Sequence, residues 1–169
     1  GISQILPGLT LARMLKEKHP HLHITLGGPI FSVNSKQLLD QPEFFDEFCD
    51  SVVTFEGEEP LHRLLTALKQ GTALKEVPNL LFCDNGKVEL NEERVELRFE
   101  ELPPPTFDGL PMDLYLSPYP ILPVLQSRGC YWGKCTFCTH SFVYGHRYGK
   151  QRTQQMVGEL EALAEKYNT

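Results

Sequence analysis

The sequence has no apolar run near the roughly 18 residues of a membrane span, and its start lacks a basic segment leading into a signal-like apolar core. A membrane-spanning or secreted protein is therefore not expected, and a cytoplasmic location is. Positive charge is also scarce: 16 Lys and Arg against 22 Asp and Glu leave a formal net charge of -6. The basic residues are scattered, which argues against a general nucleic-acid surface, because phosphate binding needs clustered Lys and Arg. Internal repeats and low-complexity segments are absent. Five cysteines, an odd number with three crowded together, do not form the framework of a small disulfide-stapled domain. They fit thiolate ligands in a reducing compartment, with Cys49 and Cys83 as ordinary semi-buried residues.

What is present is a 169-residue chain with 41% hydrophobic residues, enough for a packed core. It opens on Gly1 with what reads as the end of a strand, and an amphipathic helix stops just before Thr169, so both ends look cut from a longer protein. Pro7 suits the first turn of a helix running to about Lys18, closed by His19-Pro20. Alternating Leu22, Ile24 and Leu26 predict a strand ending at Gly27-Gly28-Pro29. Short helices are expected over 35–39 and 42–48, then a second strand over 51–55 ending at Glu56-Gly57-Glu58. The next helix carries the stripe Leu61, Leu64, Leu65, Leu68 and ends at Gly71. Strands alternating with helices in this way imply right-handed crossovers and a parallel, doubly wound α/β sheet.

The pattern then changes. Residues 79–83 and 87–90 flank Asp84-Asn85-Gly86, a turn sequence that predicts a hairpin appended to the sheet. Residues 102–120 hold Pro103-Pro104-Pro105, Gly109, Pro111, Pro118 and Pro120, too much proline for regular structure, and are read as a linker. Beyond it a strand over 121–126 built on the apolar run 121–125, a cysteine loop and a helix over 153–167 with the stripe Met156, Val157, Leu160, Leu163, Ala164 would form one βα unit.

The loop carries Cys130, Cys135 and Cys138 in a C-x4-C-x2-C spacing. Three thiolates so close can converge on one inorganic centre without long-range folding. Chance packing as small hydrophobes fits poorly with Gly129, Gly133 and Lys134 as neighbours. A tetrahedral zinc site would need His140 or His146 as fourth ligand, without the two separated ligand pairs usual in zinc modules. A plant-type [2Fe-2S] centre has this spacing for its first three cysteines but takes a fourth further on, and no Cys follows Cys138. A [4Fe-4S] cluster on three thiolates leaves one iron open.

At this loop the chain resembles the radical S-adenosylmethionine superfamily, whose usual signature is C-x3-C-x-aromatic-C after the first strand of a partial (β/α) barrel. Cys135-Thr136-Phe137-Cys138 matches the second half, and 121–126 stands where the first strand should be. The first gap is one residue longer here, between Cys130 and Cys135. The upstream half is similar to the cobalamin-binding members of that superfamily. Ser3-Gln4-Ile5 resembles their S-x-L or S-x-I element, and Gly27-Gly28 their Gly-Gly pair. Glu56-Gly57-Glu58-Glu59 resembles their G-E-G-E element with Phe55 in place of the first Gly. The Val77-Pro78-Asn79 approach to the hairpin, the proline-rich segment and Ser127-Arg128-Gly129-Cys130 follow in the family's order.

The resemblance implies an incomplete Rossmann-like sheet of cobalamin-binding type with its hairpin over 1–101, a linker over 102–120, and the start of a radical S-adenosylmethionine barrel over 121–169. It implies a [4Fe-4S] cluster on Cys130, Cys135 and Cys138, S-adenosylmethionine on the open iron with Phe137 near its adenine, and cobalamin near Ser3, Gly27, Gly28, Glu56 and Gly57. In such enzymes the cofactor carries the hard chemistry: the reduced cluster cleaves S-adenosylmethionine to a 5′-deoxyadenosyl radical, and methyl transfer or a related radical modification is the expected outcome. The substrate, a small molecule or peptide, is not legible, and an electron donor such as a flavodoxin or ferredoxin is implied. His19, His21 and His23 fit a surface turn and strand edge and are not cobalt ligands. Arg147 and Arg152 are expected as solvated charges near the last helix. The isolated segment is expected to expose apolar surface and to be inactive. A radical S-adenosylmethionine enzyme without functional cobalamin, and a [2Fe-2S] electron-transfer or zinc-binding module, remain open alternatives.

Overall fold

A computed structural model describes residues 2–91 and 98–168; residues 92–97, inside the expected first domain, and the two terminal residues lie outside that description. Residues 2–4 form a short 3-10 turn, not a strand end, and run directly into helix α1, Ile5–Lys18. Pro7 sits in its first turn, where backbone N–H groups have no intrahelical partner, and Lys16 and Lys18 complement the dipole at its end. The chain then forms strand β1 (Thr25–Gly27), three short helices, α2 (Pro29–Val33), α3 (Ser35–Leu38) and α4 (Pro42–Phe48), and strand β2 (Ser51–Val53). Pro29 and Pro42 each open a helix at its first position.

Helix α5 (Glu58–Gln70) carries Glu58 and Glu59 in its first turn and stops at Gly71, whose φ of 68° is the left-handed conformation that ends helices. Strands β3 (Leu80–Asp84) and β4 (Lys87–Leu90) follow. They are joined through Asn85 and Gly86, both at positive φ, as a two-residue hairpin loop requires.

The sheet order is β1-β2-β3-β4. Among the described residues only β1 and β2 pair in parallel; β2 with β3 and β3 with β4 are antiparallel. The expected parallel sheet is therefore a mixed one: the tight Asn85-Gly86 turn makes β3-β4 antiparallel, and β3 enters antiparallel to β2 even though α5 lies between them. The hairpin is half of the sheet rather than an appendage to it.

Helices cover both faces. Val53, Leu80 and Phe82 pack with Leu64 and Ala67 of α5, while Val52 and Leu81 pack with Phe45 and Cys49 on the α4 side. This is the period-2 alternation of strand side chains, and each fully buried aliphatic stabilises the fold by roughly 1.5–3 kcal/mol. Of the leucine stripe expected on α5, only Leu64 reaches this core; Leu61, Leu65 and Leu68 stay exposed.

Residues 102–120 hold no strand or α-helix, only a 3-10 turn at Met112–Leu114. The strand expected over 121–126 does not form: a strand needs a paired neighbour, and Ile121 and Leu125 are exposed. Pairing begins one residue later, where strand β5 (Ser127–Gly129) runs antiparallel to β6 (Tyr148–Lys150). Between them lie the cysteine loop and helix α6 (His140–Val143). Helix α7, Thr153–Tyr167, has the expected bounds, but only Leu163 of its stripe is buried. A βα unit is thus replaced by a small hairpin followed by a helix. No helix among the described residues is long and apolar enough to cross a membrane.

Candidate functional site

Gly28, at the carboxyl end of β1, has a φ of 112°, a conformation that L side chains rarely adopt. Its carbonyl accepts from the Phe31 N–H at 3.1 Å and from the buried Ser32 hydroxyl at 3.3 Å, starting α2. Ser32 Oγ in turn accepts from the Phe55 N–H at 2.7 Å. Phe55 follows β2 and is itself at positive φ, 61°, so the ends of the two parallel strands are joined through one hydroxyl. Beside them is a mostly apolar cavity of about 510 Å3, whose wall includes Gln4, Ile5, Leu26, Gly27, Gly28 and Thr139. Thr139 directly follows Cys138, so the strand ends and the cysteine loop border one space.

The loop is held by backbone. The Cys130 N–H donates to the Arg147 carbonyl at 3.3 Å and the Gln151 N–H to that of Gln126 at 3.0 Å, extending the β5-β6 pairing on both sides. The Gly133 N–H points at Cys130 Sγ at 3.5 Å, and the Cys138 N–H donates to the Cys135 carbonyl at 3.3 Å. Cys130 is half-buried, whereas Cys135 and Cys138 are exposed. Among the described residues no group of three or more His, Cys, Asp or Glu side chains is gathered as a metal site. The three thiols share a short loop without converging. Their chemistry fits an iron-sulfur centre: soft sulfur donors, with a backbone N–H available to one of them. His140, a candidate fourth ligand for zinc, turns its Nε2 to the Gly129 carbonyl at 3.2 Å and meets the Tyr144 ring edge-on.

Phe137 is 89% exposed, so it is no part of the core. Ser3 is exposed and does not line the cavity, although its neighbours Gln4 and Ile5 do. Gly57 caps the start of α5, its carbonyl accepting from the Leu61 N–H at 2.9 Å. Glu56 is placed differently from its expected position beside a cofactor: its side chain is only 9% exposed, and both carboxylate oxygens are taken by guanidinium groups. Oε1 accepts from Arg128 and Oε2 from Arg147, each at 3.1 Å. Arg128 also pairs with Glu58 at 2.6 Å and lies over the Phe99 ring at 5.3 Å. Burial opposes the Arg128 charge, but Glu58 and Glu56 outweigh it and hold its pKa above the usual arginine value. Arg147, expected as a solvated charge, is instead bonded to Glu56.

Arg128, Arg147, Ser32 and Thr139 are the residues that local pattern missed. Arg128 lies 72 positions from Glu56 and Arg147 lies 91, so no periodicity connects them. The only signal was the presence in one chain of an acidic Glu56-Gly57-Glu58 element and, far downstream, an Arg in the segment leading to Cys130. In the other cysteine-bearing part, Cys49 is fully buried and burial pushes its thiol up to about 12, which leaves it inert as a ligand.

This arrangement defines a class: a mixed α/β sheet whose parallel strand ends share a cavity with a three-thiol loop suited to an inorganic cluster. No protein-family model matches the chain. It is 32% identical to an uncharacterized methyltransferase of Pyrococcus horikoshii, covering 94% of this chain and 34% of that protein. It is 30% identical to the hopanoid C-3 methylase of Methylococcus capsulatus, covering 93% of this chain and 30% of that enzyme. A tRNA-2-methylthio-N(6)-dimethylallyladenosine synthase of Coxiella burnetii is 26% identical over 90% of the chain and 28% of its own length. Among solved structures, the radical S-adenosylmethionine methyltransferase TsrM of Kitasatospora setae, with cobalamin and a [4Fe-4S] cluster bound, shares the fold. Its TM-score is 0.60 at 21% identity, over 94% of this chain and 32% of that one. The chain is thus similar over nearly its whole length to methyltransferases and shares its fold with a radical S-adenosylmethionine methyltransferase, and it spans about one third of the length of the proteins it matches.

Proposed function

We propose that the protein containing this chain is a radical S-adenosylmethionine methyltransferase, with residues 1–101 contributing a Rossmann-like cobalamin domain, 102–120 a linker, and 121–169 the start of the catalytic barrel. The observation that carries this reading is the cavity bounded by Gly27 and Gly28 on one side and by Thr139 of the cysteine loop on the other. Ligands of α/β sheets of this kind bind outside the carboxyl ends of the parallel strands, where this cavity lies. Thr139 on its wall directly follows Cys138, so the loop that would hold a cluster adjoins the cavity that would hold a corrinoid.

Cys130, Cys135 and Cys138 would hold the cluster as thiolates, with the Gly133 N–H toward Cys130 Sγ. When bound, the cluster supplies one-electron reduction of S-adenosylmethionine and the cobalamin supplies a transferable methyl group. Phe137, exposed between two ligands, offers an aromatic face to the adenine of S-adenosylmethionine. Gly27 and Gly28 leave their part of the cavity wall free of side chains, and Leu26, Ile5 and Phe31 give it an apolar lining. The substrate, small molecule or peptide, and an electron donor of flavodoxin or ferredoxin type belong to the same reading, as does a cytoplasmic setting that keeps exposed thiols reduced.

Anaerobic reconstitution of the full-length protein tests it. A [4Fe-4S] EPR signal that changes on adding S-adenosylmethionine is expected, together with corrinoid absorbance retained through gel filtration. A [2Fe-2S] spectrum indifferent to S-adenosylmethionine would overturn the cluster reading, and loss of all corrinoid on the column would overturn the cobalamin reading.

A further inference from the structure

We propose that Glu56 is a positioning residue, a clasp between the sheet and the cluster loop that sets the loop's distance from the Gly27-Gly28 cavity. It ties the end of β2 to both strands that carry the loop. Oε1 is bonded to Arg128 of β5, two residues before Cys130, and Oε2 to Arg147, the residue before β6. Arg147 acts twice: its guanidinium reaches Glu56 while its backbone carbonyl accepts from the Cys130 N–H at 3.3 Å. A shift of the Glu56 carboxylate is thereby passed to the first cluster ligand through one residue.

On the sheet side, Glu56 follows Phe55, whose N–H is bonded to Ser32 and so to Gly28 at the cavity wall. Phe55 also packs its ring on Phe142 of α6 at 5.7 Å, and α2 packs on α6. Apolar contacts of this kind slide, whereas a charged two-pronged bond fixes both distance and rotation. A carboxylate this buried is retained at a desolvation cost that a merely solvated surface pair would not carry. Glu58, on the same Arg128, reinforces one prong only.

This role rests on the cluster-and-cobalamin reading, and the test separates the two. In full-length protein, Glu56→Gln and Glu56→Ala are reconstituted with iron, sulfide and cobalamin. Both variants should bind iron and corrinoid at wild-type content, since no ligand is touched. The magnetic interaction between the reduced cluster and cob(II)alamin, read by EPR, should change in both and return in Glu56→Asp. Hydrogen exchange over residues 127–150 should rise about tenfold in both, with exchange in β3 and β4 unchanged. An unaltered magnetic interaction with unaltered exchange would overturn the proposal. So would a rise in exchange across the whole sheet in the near-isosteric Glu56→Gln, which would make Glu56 a general fold residue. If the wild-type protein takes up neither group, the functional reading fails, and the exchange pattern alone decides whether the clasp exists.

Discussion

The carbonyl oxygen of Arg147 lies 2.0 Å from the position a Cβ on Gly129 would occupy, and Gly129 has a φ of 84°. No side chain fits there without parting β5 from β6. Gly129→Ala should therefore destabilise the hairpin by about 2 kcal/mol or more, from left-handed strain and clash together. Denaturant unfolding followed by Trp132 fluorescence measures it, and an unchanged midpoint would contradict the geometry.

The thiols should sort by environment. Cys135 and Cys138 are exposed, whereas Cys49 is fully buried with its thiol raised to about 12. Because a raised thiol stays protonated below that value, Cys49 has almost no thiolate at pH 8. Iodoacetamide on the cluster-free protein should alkylate Cys135 and Cys138 first and reach Cys49 only after unfolding, as mass spectrometry of timed aliquots would show. Correspondingly, Ala at Cys130, Cys135 or Cys138 should abolish bound iron, and Cys49→Ala should not.

Gly28→Ala places a side chain at a φ of 112°, although no atom lies within 4 Å of the new Cβ. The cost is backbone strain, on the order of 1–3 kcal/mol. Because Gly28 lines the cavity and anchors Ser32, corrinoid retention should fall at least tenfold while iron content holds. Equal losses of both would point to unfolding instead.

His23 Nε2 lies 2.9 Å from Ser51 Oγ, and burial lowers the His23 pKa, with Asp50 opposing in part. The unfolded chain therefore takes up this proton at a higher pH than the folded one. The stability that depends on neutral His23 is present above the unfolded value of about 6.5 and is lost as pH falls through the lowered folded value. Urea midpoints should decline from pH 7 toward pH 5, and His23→Gln should flatten that slope.

Leu81 is fully buried between β2 and β4. Its truncation to Ala should cost about 2–5 kcal/mol, visible as a lowered calorimetric Tm. A cost below 1 kcal/mol would mean that the α4 face repacks freely.

Elements whose boundaries are marked by proline, glycine and capping chemistry were legible in the chain. Pro42 opened α4, Gly71 closed α5, and Asn85-Gly86 turned the hairpin, because each acts through its own backbone dihedrals. The strand over 121–126 was not legible as absent. Its apolar pattern is real, but Ile121 and Leu125 have no paired neighbour among the described residues, and hydrogen-bonded pairing, unlike pattern, is a property of two segments. Helices α5 and α7 likewise carry longer apolar stripes than they bury, since burial needs a second apolar surface and not the stripe alone.

The sequence by itself determined the three thiols, their soft-donor chemistry, the glycine pair and the order of motifs that mark the family resemblance. These are local, carried by residue type and spacing. Tertiary structure alone decided that the sheet is mixed, that Gly27-Gly28 and Thr139 share one cavity, and that Glu56 bonds Arg128 and Arg147. Contacts spanning 72 and 91 residues form only once burial has brought those segments together and removed the water that would otherwise solvate each charge separately.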